Sequence, residues 1–165
     1  MDVIWAPWRM AYIDGEKPEG CIFCCDPQPG NLRDNLILAV TSYSMVMLNK
    51  YPYNGGHLLV FPRRHAGSFD ELPSEEYHEL SDCLRKSVGL VRQVLCPGGT
   101  NLGMNLGKSA GAGVEGHLHW HIVPRWEGDT NFMPVVGDVR VIPQHLLDTY
   151  DRLRPHFLSL EGSSA

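Results

Sequence analysis

No stretch of this sequence stays apolar for the roughly 20 residues that a membrane span needs, and its opening residues lack the charged, apolar and small-residue order of a secretory signal. Both gaps set the expectation of a cytoplasmic protein without a membrane partner. Positive charge is also in short supply. Lys and Arg number 14 against 19 Asp and Glu, for a net charge of −5. A broad nucleic-acid surface needs the opposite balance, so nucleic acid is not an expected partner. Cysteine is neither abundant nor even in number: of five, Cys21, Cys24 and Cys25 crowd one short stretch. That pattern suits reduced thiols or a metal site better than a disulfide scaffold. With 165 residues, 43% hydrophobic and 20% charged, the chain fits one domain with its own core and is too apolar for disorder.

No internal repeat or linker divides the chain, so 1–165 reads as a single domain. Residues 1–20 hold Trp5, Trp8 and Tyr12 without a clean period and read as an arm packed on the body. Residues 21–125 form the core and 126–165 a C-terminal extension. Within the core, 36–40 and 44–49 read as a hairpin of two strands. Pro52, Asn54, Gly55 and Gly56 then turn the chain into a third strand at 57–62. From Pro73 onward, Tyr77, Leu80, Leu84, Val88, Val91 and Leu95 recur at steps of three and four, the apolar stripe of one long helix that Pro97-Gly98-Gly99 ends. Cys83 and Cys96 read as packing residues of that helix. Residues 100–106 and 117–123 read as further strands, and 143–153 as a short terminal helix. The predicted fold class is α+β, an antiparallel sheet of about five strands with one long helix and a short C-terminal one.

Chemistry concentrates in His117-Leu118-His119-Trp120-His121. On a strand, that spacing puts the imidazoles on one face and Leu118, Trp120 and Ile122 on the other. A row of imidazoles lines an apolar core poorly, because each ring needs a polar partner. The bland alternative is a solvated strand face; the sharper one is a site using imidazole as nucleophile, acid–base group or metal ligand. Just upstream, Gly103, Gly107, Gly111, Gly113 and Gly116 are interspersed with Asn105, Lys108 and Ser109. Such a loop can turn several backbone N–H groups toward one anion, with Lys108 adding charge, or can simply be a long loop. It lacks the Walker frame. Cys21-Ile22-Phe23-Cys24 has the spacing to clamp one zinc through two thiolates, with His65 and one histidine of the strand available to complete it. A redox pair or two buried thiols remain open as alternatives.

These motifs together resemble the histidine triad (HIT) superfamily: Cys-Ile-Phe-Cys at 21–24, Leu-Asn-Lys-Tyr-Pro-Tyr-Asn-Gly-Gly-His-Leu-Leu-Val-Phe-Pro-Arg-Arg-His at 48–65, and His-Leu-His-Trp-His-Ile-Val-Pro-Arg at 117–125. The Trp-Ala-Pro-Trp-Arg opening and the Gly128-Asp129-Thr130-Asn131-Phe132 run point within it to the bacterial diadenosine tetraphosphate phosphorylase-like branch, with the fragile-histidine-triad hydrolases as near relatives. The resemblance implies a HIT-like fold and a nucleotidyl transferase or hydrolase acting on the α-phosphate of a dinucleoside polyphosphate. It implies His119 as the nucleophile, with His121 and His57 orienting the site or assisting the phosphate. Asn49 falls where relatives contact the ribose. Asn105, Lys108 and the backbone of Gly111, Gly113 and Val114 fall on the phosphate side. In zinc-bearing members the ligands map to Cys21, Cys24, His65 and His117, which implies a structural zinc and no organic cofactor. A homodimer is implied as well.

One departure concerns the residues before the triad. Many members carry Gln, Ser or Thr there, whereas this chain has Ala112-Gly113-Val114-Glu115-Gly116. Only backbone groups remain to meet the phosphate, which leaves room for inorganic phosphate as the acceptor. Two activities compete with the leading one: a nucleoside phosphoramidase of the same superfamily, and a non-enzymatic zinc module that binds nucleotides or a protein. A metal-dependent hydrolase using all three histidines as ligands is a further alternative.

Overall fold

The structure, a computed structural model, describes residues 20–129 and 145–161. The expected arm at 1–20 and the helix start near 143 fall almost wholly outside those residues. Runs rich in Ile, Val, Leu and Met form β1 (Ile37–Val40), β2 (Ser44–Leu48) and β3 (Leu58–Pro62). After the long helix α1 (Ser74–Leu95) come β4 (Gly99–Met104) and β5 (Trp120–Arg125), and the chain ends in α2 (Leu146–Glu161). The strands form one sheet in the order β1-β2-β3-β5-β4, and every neighbouring pair is antiparallel. This is the α+β arrangement expected from the sequence.

Strand alternation sorts the side chains into two layers. Val46, Leu48, Leu58, Val60, Leu118 and Ile122 face the helices and share a core with Leu80, Val91, Leu153 and Phe157. Met45, Leu59 and Phe61 face the other way and pack with Phe23 from the segment before β1. Removing a Leu or Phe of this kind from water contributes about 1.5–3 kcal/mol each.

The helices differ from expectation in two instructive ways. The buried stripe of α1 is Glu76, Leu80, Cys83, Ser87 and Val91, whereas Tyr77 is 43% exposed. A carboxylate occupies the stripe because Arg64, beyond β3, meets it with Nε 2.8 Å from Oε2. Cys83 is buried as expected, but Cys96 is exposed; it caps the helix in the left-handed region at φ 49°. The second difference is that α2 runs past residue 153, with Pro155 inside it, to Glu161. Proline there sacrifices a helix hydrogen bond. Burial of Leu153, Phe157 and Leu160 against the sheet offsets that loss. Side chains of α2 also cap the outer edge of β1: Tyr150 Oη donates to the Ile37 carbonyl at 3.0 Å, and Arg154 to that of Leu38 at 2.6 Å. The opposite edge strand, β4, carries exposed Leu102 and is followed by exposed Leu106.

Candidate functional site

The strand assignment begins at Trp120, three residues later than the sequence suggests, yet the alternation already holds from His117. Leu118 is buried in the helix-side core, while His117 and His119 lie beside Phe23 on the opposite face. His117 is fully buried and His119 is 5% exposed. The triplet is therefore not a solvated strand face.

Each of the three rings is held by a different partner. The Nε2 of His117 lies 2.8 Å from the carbonyl of Pro62, so the proton sits on Nε2 and Nδ1 keeps its lone pair. His119 does the reverse: its Nδ1 donates to the carbonyl of His117 at 2.8 Å, leaving the lone pair on Nε2. Burial pushes the pKa of both rings below the ordinary histidine value, which keeps them neutral near pH 7.

The direction at His121 comes from further away. The backbone N–H of Tyr53 donates to His57 Nδ1 at 3.0 Å, and the Asn49 amide lies 3.4 Å from the same nitrogen. An Nδ1 that accepts leaves the proton on Nε2, and His57 Nε2 meets His121 Nδ1 at 2.9 Å. His121 therefore accepts at Nδ1 and carries its proton on Nε2. Tyr53 also stacks on His57, with ring centroids 4.9 Å apart and planes 16° apart. His119 and His121 are neighbours at 5.0 Å between centroids. The face thus presents a bare imidazole nitrogen, able to attack an electrophile, next to an imidazole N–H able to hold an anionic oxygen.

At the other end of the stretch, Cys21 Sγ lies 3.3 Å from His117 Nδ1, and Cys24 Sγ lies 3.2 Å from His65 Nδ1 and 3.5 Å from His117 Nδ1. The four donor atoms are within 4.8 Å of one another. A tetrahedral zinc with its usual bond lengths sets sulfur and nitrogen about 3.5 Å apart. Donor chemistry, spacing and the anchored Nε2–H of His117 all fit one metal ion. Gly116 makes room for this cluster, since a Cβ there would lie 3.3 Å from His65 Nε2.

The phosphate-side candidates are arranged less tightly. Lys108 sits exposed in a short 3-10 turn, Lys108–Ala110, flanked by Gly107 at φ 76° and Gly111 at φ 83°. Gly111 and Gly113 are exposed, and Val114 packs against the Phe23 cluster. Asn105 is half-buried beyond the end of β4. Asn49 is drawn into the histidine network, its Oδ1 accepting from the Tyr51 N–H at 2.9 Å. Sequence reasoning missed Phe23, Tyr53 and Pro62. Pro62 acts through its carbonyl and Tyr53 through its N–H as well as its stacked ring, and a backbone group leaves no side-chain signal; Phe23 is legible only as the interior of the Cys-x-x-Cys stretch.

The HIT domain family model matches residues 32–128. The chain is 37% identical over 155 residues to the AP-4-A phosphorylase of Mycobacterium tuberculosis, a match covering 88% of this chain and 79% of that protein. It is 32% identical over 101 residues to the bis(5'-adenosyl)-triphosphatase of Dictyostelium discoideum, covering 61% of this chain and 67% of that one. Among solved structures, a Zn-bound histidine triad family protein from Mycobacterium smegmatis superposes with a TM-score of 0.62 at 25% identity, covering 85% of this chain and 94% of the other.

Proposed function

The chain belongs to the HIT domain family, and from that premise we propose that it transfers the nucleotidyl group of a dinucleoside polyphosphate such as diadenosine tetraphosphate through a covalent intermediate on His119. The carrying observation is the hydrogen bond from His119 Nδ1 to the His117 carbonyl at 2.8 Å, which leaves Nε2 bare. That nitrogen attacks the α-phosphorus. An N–P bond forms, and the P–O bond to the departing nucleoside polyphosphate breaks. The Nε2–H of His121, directed by His57, stabilises negative charge on the phosphoryl or departing oxygens. An acceptor then attacks the same phosphorus, the N–P bond breaks, and its electron pair returns to His119.

Inorganic phosphate is the acceptor we favour. The similarity to a phosphorylase supports it, as does the absence of a polar side chain at 112–114. With diadenosine tetraphosphate the products are then ADP and ATP. Water as acceptor gives AMP and ATP, a second reading that similarity to the triphosphatase supports. Asn49 serves the ribose, and Asn105, Lys108 and the backbone of Gly111, Gly113 and Val114 serve the phosphates.

Zinc is the metal we assign to Cys21, Cys24, His65 and His117. With four protein ligands it is closed and structural, fastening the segment before β1 onto the start of the histidine strand. We also assign a homodimer joined along β4, supported by an edge that is unpaired among the described residues and by exposed Leu102 and Leu106. We place its work in the cytoplasm on its odd, crowded cysteines; none of the described helices is long and apolar enough to cross a membrane.

Incubating diadenosine tetraphosphate with the protein, with and without inorganic phosphate, tests this reading. ADP plus ATP only with phosphate is the expected result. AMP plus ATP without phosphate makes water the acceptor, and no turnover in either case overturns the substrate assignment.

A further inference from the structure

The direction of the His57–His121 hydrogen bond is set at His57 Nδ1, where the shorter contact is the backbone N–H of Tyr53 at 3.0 Å, in the turn between β2 and β3, and the longer is the Asn49 amide at 3.4 Å. That turn is seated by an unusual set of side chains. Asn54 Nδ2 donates to the carbonyl of Pro124 at 3.0 Å and to Asp129 Oδ2 at 2.7 Å, while the Asn54 carbonyl accepts from the His57 N–H at 3.2 Å. Asp129 is itself gripped by Arg125, with Nε 2.7 Å from Oδ2 and Nη2 2.8 Å from Oδ1, and its Oδ2 also accepts from the Trp126 N–H at 3.1 Å. Arg125 extends the clamp to β4 through Asn101 Oδ1 at 3.1 Å. Gly56, in the same turn, takes a left-handed φ of 71°, and a Cβ there would meet Leu95 Cδ1.

We propose that Asn54, held by Asp129 and Arg125, is a positioning residue for nucleotidyl transfer: it seats the Tyr53 N–H so that His57 and His121 each keep a single tautomer. The inference rests on the role given to His121 above and deepens it. The two neutral tautomers of an imidazole differ little in energy in water, so an external donor decides between them. If the turn shifts and Tyr53 no longer donates, only the longer Asn49 contact still favours an accepting Nδ1, and a fraction of His57 carries its proton on Nδ1 and accepts at Nε2. His121 must then donate from Nδ1, and its Nε2 turns from donor to lone pair. A lone pair repels an anionic phosphoryl oxygen where an N–H had held it, so the loss falls on the transition state.

The test uses the full chain labelled with 15N at histidine. Two-bond 15N–1H spectra report which ring nitrogen carries the proton, independently of any substrate. In the wild type, His57 and His121 are expected to be protonated at Nε2 alone. In Asn54→Ala both should become tautomer mixtures while His119 keeps its Nδ1 proton, with kcat reduced about 10- to 100-fold and KM changed less than about threefold. Asp129→Asn, which keeps one acceptor oxygen for Asn54, should fall between the two on both readouts. A folded Asn54→Ala protein with wild-type ring spectra, or with wild-type kcat, overturns the proposal. If Asn54→Ala does not fold, Asp129→Asn decides alone, with partial mixing supporting the proposal and an unchanged spectrum overturning it. Failure of the proposed function shows separately, as turnover that survives His119→Asn, while the spectra still report on the Asn54 clamp.

Discussion

The two ends of the histidine stretch use the same residue for opposite ends. At His117 the ring proton is tied to the Pro62 carbonyl, so the free lone pair turns toward two thiols and a second imidazole. At His121 the lone pair is taken up by His57, so the proton sits on Nε2. Between them, His119 borrows its own neighbour's carbonyl and exposes a bare nitrogen. One end gathers four donors that could hold a metal ion, and the other carries an N–H that meets an anion in the proposed reaction. The difference lies in the hydrogen-bond partner behind each ring, not in the ring. Spacing on a strand gathers imidazoles, but the hydrogen-bond partners behind them, backbone carbonyls at His117 and His119 and the His57 ring at His121, assign their chemistry.

The largest effect is expected at His119, between the two ends. His119→Asn should lower kcat by at least about 10⁴-fold, since a transfer through a covalent intermediate has no substitute for its nucleophile. Circular dichroism and nucleotide binding should stay near wild type. Next in size is the cation-holding end. Cys24→Ser removes a thiolate ligand, and metal analysis should show less than one equivalent per chain, with the melting temperature lowered by about 5 °C or more. The same variant should retain the His57–His121 tautomers if the two ends are independent.

Acidification gives a smaller and graded effect. Burial holds the pKa of His119 and His117 below the ordinary histidine value of 6.5. As the pH falls below about 6.5, the unfolded chain takes up protons that the folded one refuses, so stability is lost from there down to the depressed folded values. In metal-free protein the melting temperature should be level above that pH and decline below it, and His119→Asn should flatten the decline. The Glu76 carboxyl, held low by its hydrogen bonds from Arg64, adds a loss only at more acidic pH. Smallest of all, Arg33→Ala breaks an ion pair with Asp151 that is about half exposed on both sides. It should move the melting temperature by no more than about 2 °C and leave both ends of the stretch untouched, as surface pairs usually do.

The sequence made the strand order's raw material, the long helix and the gathering of His117, His119 and His121 legible, because period and spacing depend on side chains alone. It also brought Cys21, Cys24 and His65 to the same short list, although the structure was needed to bring their donor atoms within 4.8 Å. What escaped was decided by tertiary contacts. Glu76 took a place in the buried stripe because Arg64 was there to meet it. Helix α2 continued through Pro155 because its buried face outweighed a lost hydrogen bond. Asn54 read as an ordinary turn residue, and its reach to Pro124 and Asp129 spans 70 and 75 positions. No periodicity carries information over that distance.

In the proposed reaction His119, and not His117 or His121, is the nucleophile, because its hydrogen bond at Nδ1 leaves the Nε2 lone pair to attack. The most direct measurement is mass spectrometry of protein quenched during turnover of diadenosine tetraphosphate, followed by peptide mapping. A mass increase of one AMP group on His119, absent in His119→Asn, is the predicted result. Sustained turnover with the adduct on His117 or His121, or with no adduct at all, would contradict it.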